Sequence, residues 1–518
     1  FLQLFNEHPI LTELGRELMA GKTRIGLKNS VGSFRPLLVS ILHKSQNKNQ
    51  LIICRDLEDA SHFYADLQVF MENQSVYLWK DSYRRRFDID HPDNSKVQSK
   101  ASVLDAITDT TEPFVVVTYP EALVERVIEQ AELVASKLVF KVEEDLDLDF
   151  LLEVLHEYQF EREDFVYEPG QFAIRGGIVD LYSFAGELPV RLVLDGRSIE
   201  SIREFDPISQ LSSKKLHRAT VVPNVKEQAD EGTQTSLFAY LGGKCIVHGM
   251  DLPAALNRLE KGFKKIDDKT DHDPEALFLT TDEWQDALQK LQVVEYAQQY
   301  AFRPSVKLSF EQEPQPPINK NFNLLIEQLK SYDKQKYIAL IFSESHKQIE
   351  RLESIFDDLD SGVHIQAVYK GLSEGFIDKQ LKVAALTEHE VFNRYYRVTG
   401  KRKTSSAAIS LKELKNLKPG DFVVHIDHGI GQFQGLQKME MGGKMQEAVR
   451  IKYKNNDLLY VNIGALYKIS KFKGQEGQEP KLNKLGSDAW QNLKRKTKRK
   501  VKDIARDLIK LYAQLSLI

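Results

Sequence analysis

Cysteine is nearly missing from this sequence. Cys54 and Cys245 are the only two in 518 residues, which cannot build a disulfide framework or, by themselves, a zinc site. They fit a reducing compartment, and a cytoplasmic location is expected. Long apolar runs are missing too. Stretches such as 337–342 extend for only a few residues, whereas a membrane helix needs about 20, so no membrane partner is expected. The first residues show neither a basic n-region nor an apolar h-region, the two marks of a secretory leader. The chain does not begin with Met and stops at Ile518 inside a helix-like run, so it reads as a piece of a longer protein. What is present is globular. A composition 42% hydrophobic and 28% charged excludes a wholly disordered chain, and the length implies about three to five domains.

The net charge of −4 is unevenly placed. Residues 481–518 hold 11 Lys and Arg against 3 Asp and Glu, so +8, which leaves −12 for the rest. A basic end on an acidic body suits an anionic partner, or a helix that docks elsewhere in the protein; the plain alternative is a solvated helix face. Apolar Val501, Ile504, Ala505, Leu508, Leu511 and Leu515 recur at helical spacing, so an amphipathic helix with a basic start is expected there.

A working nucleotide loop is also absent. The segment 26–33 (GLKNSVGS) has Gly26 and Ser33 where a phosphate loop needs them. Val31 stands where the second Gly belongs, and Gly32 stands where the phosphate-neutralising Lys belongs. Gly26, Gly32 and Ser33 are therefore read as a degenerate phosphate loop, and no acidic box for magnesium follows a strand elsewhere. His425, Asp427 and His428 tempt a metal reading. On a strand 425 and 427 share a face and 428 points away, so turn-stabilising hydrogen bonds are the expected role. No catalytic residue and no metal site are assigned.

The pattern along the chain is α/β, then β, then α/β, then β. Short apolar runs at 36–42, 51–54, 76–79 and 114–118, with helices at 59–72 and 121–130, predict a parallel sheet covered on both faces. An acidic amphipathic helix falls within 141–164. Strands with Gly turns follow at 172–175, 178–182, 190–194 and 199–205, a small antiparallel insert. Residues 224–310 carry little pattern. Pro314, Pro316 and Pro317 mark a boundary. A second α/β unit follows, with helices at 321–330 and 346–357 and strands at 337–342, 363–369 and 381–386. Residues 401–406 (KRKTSS) read as an exposed linker. From 419 onward, four or five short strands with Gly bends suggest an SH3-like barrel.

Two groups of residues stand out as binding candidates. Arg175, Arg191 and Arg203 lie on predicted strands near Gln171, Phe172 and Tyr182. Arg and aromatic residues dominate interface anchors, so these suit a protein partner. The alternative is pairing with Glu187, Asp195, Glu200 and Asp206 on the same sheet. In the barrel, Met439 and Met441 share a strand face, flanked by Lys438 and Glu440. Met suits adaptable binding surfaces, and a strand edge can add a partner strand; the alternative places both Met in the barrel core.

Glu168-Pro169-Gly170-Gln171-Phe172, continuing through Arg175-Gly176-Gly177 and Asp180-Leu181-Tyr182, resembles the insert domain shared by the repair protein UvrB and the transcription-repair coupling factors. Glu187-Leu188-Pro189-Val190-Arg191 and Ser201-Ile202-Arg203-Glu204-Phe205-Asp206 extend the match. Gly420-Asp421-Phe422-Val423-Val424-His425 resembles the opening of the polymerase interaction domain of the coupling factors, which CarD-type regulators share more loosely. The strings 386–395 (LTEHEVFNRY) and 484–490 (KLGSDAW) also look like coupling-factor sequence.

The resemblance implies a layout: UvrB-like α/β parts at 1–136 and 224–315, a UvrA-binding insert at 137–223, and a small α/β domain at 316–400. A linker at 401–415, a polymerase interaction domain at 416–475 and a helix at 484–518 toward an absent motor complete it. It implies partners as well. UvrA meets Arg175, Arg191 and Arg203, while the β subunit of RNA polymerase meets Lys438, Met439, Glu440 and Met441. Asp195 stands where the family often has an aromatic residue, which weakens that one contact. ATP and Mg, and most double-stranded DNA binding, belong to the motor, so this piece is expected to be non-catalytic and without a cofactor. The expected function is docking on stalled polymerase and recruiting UvrA for excision repair. The alternatives are an ATP-hydrolysing UvrB-like repair protein and a CarD-like transcription regulator.

Overall fold

The computed structural model describes residues 1–21, 23–72, 75–83, 94–207, 210–224, 233–267, 274–396, 417–425, 428–441, 444–462, 469–472, 480–485, 490 and 496. Two compact units divide the chain, Phe1–Glu204 with Lys214–Val398 and Phe205–Ser213 with Thr399–Ile518. The expected linker at 401–415 and, apart from Lys496, the expected basic helix at 494–502 lie outside the described residues. No helix among the described residues is long and apolar enough to cross a membrane.

A seven-stranded sheet organises the first unit. Its order is Val306–Ser309, Arg24–Lys28, Gln292–Tyr296, Ile246–Met250, Gln50–Ile53, Val115–Thr118 and Val76–Leu78. Every neighbouring pair is parallel, as the alternating pattern of the first part predicts. Residues 224–310 supply three of these strands, two of them in the sheet centre. Their sequence carries little pattern because Ile246–Met250 is buried on both faces, which removes the period-two alternation of a half-exposed strand.

Burial also misleads at 36–42. That run is apolar enough to read as a strand, yet Phe34–Gln46 is a helix with nine buried positions. Pro36 falls in its first turn, where a missing N–H breaks no helical bond. The expected helix at 121–130 is instead a short helix, Pro120–Leu123, a strand, Val127–Ile128, and the start of a second helix, Gln130–Ser136. The helix within 141–164 forms at Leu148–Glu157, with the Asp147 carboxylate accepting from the Asp149 and Phe150 amides.

The central strands bury a histidine. His248 Nε2 donates to Gln50 Oε1 at 2.9 Å, and Nδ1 lies 2.8 Å from the Tyr296 hydroxyl, so the neutral ring is satisfied on both sides. Burial pushes its pKa down to about 3. The unfolded chain takes up a proton near pH 6.5 that the folded chain refuses, so stability falls as pH drops through that value and continues to fall toward the folded value. Between pH 7.5 and 5 this one group is expected to remove about 2 kcal/mol. Urea unfolding at both pH values checks it: the wild-type chain loses that much more than His248→Gln, and equal losses would exclude His248 as the source.

The insert forms a six-stranded sheet. Its strands include Gln171–Arg175, Ile178–Leu181, Val190–Asp195 and Ser198–Phe205, paired antiparallel in sequence. The small α/β unit has five strands in the order Gln312–Pro314, Phe376–Asp378, Val383–Thr387, Ile338–Phe342 and Ala367–Val368. Pro314, read from sequence as a ladder breaker, ends the edge strand of this sheet, where a missing donor is tolerated. Of the expected strand at 363–369 only Ala367–Val368 pairs.

In the second unit, five antiparallel strands run in the order Leu458–Asn462, Lys444–Lys452, Gly429–Met441, Phe422–His425 and Ile469–Lys471. Val423, Phe433, Val449, Ile451 and Tyr453 form its buried core. The two end strands are not paired with each other among the described residues, so the sheet order is open and carries no closed barrel by itself.

Candidate partner-binding surfaces

The three insert arginines share one face of their sheet. Strand register sets Ala173, Asp180, Arg191 and Arg203 opposite one another across four strands, and Arg175 is two residues along from Ala173 on the same face. The opposite face carries Phe172, Val179, Leu181, Leu192 and Ile202, all buried. One strand set therefore builds a core side and a polar side, as a period of two requires.

Asp180 orders the polar side. Its side chain is fully buried, and two guanidiniums converge on it. Arg175 Nη2 donates to Oδ2 at 2.5 Å. Arg191 donates from Nε to Oδ1 at 2.6 Å and from Nη2 to Oδ2 at 2.9 Å, a two-point grip. Arg175 also donates to the Asp164 carbonyl and lies 4.6 Å over the half-exposed Phe165 ring. The alternative reading from sequence paired the arginines with Glu187, Asp195, Glu200 and Asp206. For Arg175 and Arg191 the structure shows Asp180, a carboxylate that reading did not name. Asp180 is their directly opposed or diagonal neighbour, whereas Asp195 is an exposed residue at the far end of its strand.

Arg203 sits opposite Arg191, like charge against like. Its Nε is buried with no hydrogen-bond partner among the described residues. Leaving a donor buried and unmet costs about 1–3 kcal/mol. Sequence reasoning found the arginines and missed Asp180 as their organiser. The signal was available: an Asp inside an apolar strand, Ile178-Val179-Asp180-Leu181, is out of place unless paired.

The second candidate is the hairpin of Gly429–Met441 and Lys444–Lys452. The first of these strands pairs with Phe422–His425 only over Gly429–Gln432. Phe433 still exchanges backbone bonds with Gly420 and Asp421 on that side, and from Leu436 to Met441 the only strand paired with it among the described residues is Lys444–Lys452. Lys438, Met439, Glu440 and Met441 face Glu447, Gln446, Met445 and Lys444 across that ladder, and their other backbone edge has no partner strand among the described residues. The register shifts between Phe433 and Leu436, where Gly435 takes a φ of +102°. Such a bulge bends the strand and separates the outer hairpin from the core pairing. Leu436, at its start, is 47% exposed.

The degenerate loop has the setting of a phosphate loop. Arg24–Lys28 is a strand, 29–33 a turn, and Phe34–Gln46 a helix. Gly26 is on the strand, where a Cβ would press on the Tyr300 ring at 2.5 Å. Gly32 and Ser33 are in the turn, and the Arg35 guanidinium closes it on the Ser30 carbonyl at 2.8 Å. His425 and His428 stack at 4.7 Å between ring centroids; Asp427 lies outside the described residues. No group of three or more His, Cys, Asp or Glu among the described residues is arranged to hold a metal.

Comparison with known proteins gives the same two regions separate identities. A family profile described as the UvrB interaction domain matches residues 138–226. A second, described as the CarD-like/TRCF RID domain, matches 417–473. The transcription-repair-coupling factor of Bacillus subtilis is 28% identical over 567 aligned residues, 93% of this chain and 48% of that protein. Those of Staphylococcus aureus strains RF122 and Mu50 are 22% identical over 569, with the same coverage. The chain thus spans about half the length of the curated relatives it matches.

Proposed function

We propose, for a chain homologous along 93% of its length to transcription-repair-coupling factors, that it is a two-ended adaptor: one end docks on RNA polymerase and the other recruits UvrA. The observation that carries this reading is the presence in one chain of a UvrB interaction domain and a CarD-like/TRCF RID domain. Each coincides with a built surface, the arginine face of the insert and the one-sided hairpin strand.

On the insert, Arg175, Arg191 and Arg203 form the UvrA contact. Asp180 holds the first two in place, and Arg203 adds a third guanidinium to the same face. On the five-stranded sheet, the edge at 438–441 accepts a strand of the polymerase β subunit. Main-chain bonds supply affinity and Met439 the apolar anchor. The SH3-like closure of that sheet and a helix across 484–518 leading to a motor belong to this proposal, as do ATP, magnesium and double-stranded DNA as ligands of that motor. The cytoplasm is the proposed location.

The reading of an ATP-hydrolysing UvrB-like enzyme is less well supported, because no cation stands at Gly32 and the carboxyl-rich surroundings of that turn disfavour phosphate. A CarD-like regulator leaves 138–226 without a purpose. The test is a bridging assay. Polymerase core is immobilised, this chain is added, and UvrA follows. UvrA is expected to be retained only when the chain is present. Retention of the chain without UvrA, or of neither, would remove the adaptor reading.

A further inference from the structure

The turn that resembles a phosphate loop is filled by the protein itself. In a nucleotide-binding turn the amides at the helix start point at phosphate oxygens. Here the Ser33 amide donates to the Glu374 carbonyl at 3.2 Å, and the Glu374 amide donates back to Ser33 Oγ at 3.1 Å. The Val31 amide donates to Gln312 Oε1 at 3.4 Å. The turn's donors are thus aimed at oxygens of the small α/β unit.

Asp66 cements the contact from the opposite side. Its buried carboxylate accepts from Ser33 Oγ at 2.6 Å and from Ser373 Oγ at 2.6 Å. It also accepts from the Ser373 amide at 2.8 Å. The Gly375 amide is held by Glu390 at 2.6 Å. Gly32 has a φ of +52°, and a Cβ there would approach the Gly375 carbonyl oxygen to 2.7 Å. The two backbones are too close for any larger residue. Behind them, Phe34 packs edge-on against Phe376 at 5.5 Å and Phe310 at 5.0 Å, within a core cluster that also holds Leu372.

The cavity beside the turn, about 280 Å³, does not suit an anion. Arg35 and Arg55 line it together with five carboxyl groups, Asp56, Glu58, Asp59, Asp66 and Glu374. Arg35 is spent on the Ser30 carbonyl, and Arg55 on Asp59.

We infer that the turn 29–33 is a docking socket for the chain's own segment 373–375, which occupies the approach a phosphate would take and joins the UvrB-like sheet and the small α/β unit into one rigid body. Loss of the lysine is then one half of a change whose other half is this internal occupant. The inference does not depend on which partners the chain binds.

Hydrogen exchange on the full chain, read by mass spectrometry, tests it. Segments 29–35 and 371–376 are expected to be protected together in the wild-type chain. Gly32→Val should speed exchange in both by about tenfold or more while Ile246–Met250 stays slow. If that variant fails to fold, Ser373→Ala removes the hydroxyl bond to Asp66 while keeping the amide bond, adds no bulk, and should act in the same direction. Inorganic phosphate should leave both segments unchanged. Fast exchange of 371–376 in the wild type, or acceleration of one segment alone in the variants, would overturn the socket. So would phosphate that protects 29–35 while releasing 371–376.

Discussion

Met439→Arg is expected to weaken binding of this chain to RNA polymerase core by about 30-fold or more, the effect of losing an interface anchor of at least about 2 kcal/mol. The argument rests on the backbone. Strand Gly429–Met441 has a partner on both sides only at its start, and beyond the bulge at Gly435 one edge is unpaired among the described residues. A partner strand added there reads alternate side chains, and Met439 and Met441 occupy one parity while Lys438 and Glu440 occupy the other. An arginine at 439 places a strongly hydrated charge where the proposed contact is apolar. Lys438→Ala and Glu440→Ala should cost much less, because rim charges mainly alter association rate. Binding can be followed by interferometry, with urea unfolding of the same variant as the folding control. Unaltered affinity in a folded Met439→Arg chain would move the polymerase site away from this edge.

Removing Asp180 should have the largest effect on stability. Asp180→Ala leaves Arg175 and Arg191 without the buried carboxylate that joins them, and adds their repulsion to that of Arg203 across the ladder. Breaking a buried pair in this way costs about 3–5 kcal/mol. The insert should therefore lose protection in hydrogen exchange, and capture of UvrA should be lost with it. Polymerase capture should persist, because the proposed contact lies in the other unit. Arg175→Ala or Arg191→Ala leaves the carboxylate one partner and should reduce UvrA capture with a smaller loss of stability. A variant Asp180→Ala with full insert protection would show that the guanidiniums do not rely on this carboxylate. Full protection together with full UvrA capture would remove the arginine face as the binding surface.

These two sites show what local sequence determines. The insert strands and the strand Gly429–Met441 have alternating apolar and polar residues punctuated by glycine, so their existence and faces are written locally. The arginines and Met439 could be selected because each residue type implies its chemistry wherever it stands. Period and composition need only the residues within one strand.

What the tertiary structure alone decided is everything that joins distant parts of the chain. Asp180 became the arginines' partner through strand register, and four nearby carboxylates were equally plausible in sequence. The main sheet draws strands from both sides of the insert, and its central members bury both faces, so the periodic signal that would reveal them is erased. The turn 29–33 has lost a lysine in sequence, which says only that phosphate is poorly held. That Glu374, more than 300 residues away, supplies the oxygen the Ser33 amide needs follows from burial: a buried amide must find an acceptor, and only folding determines which one reaches it.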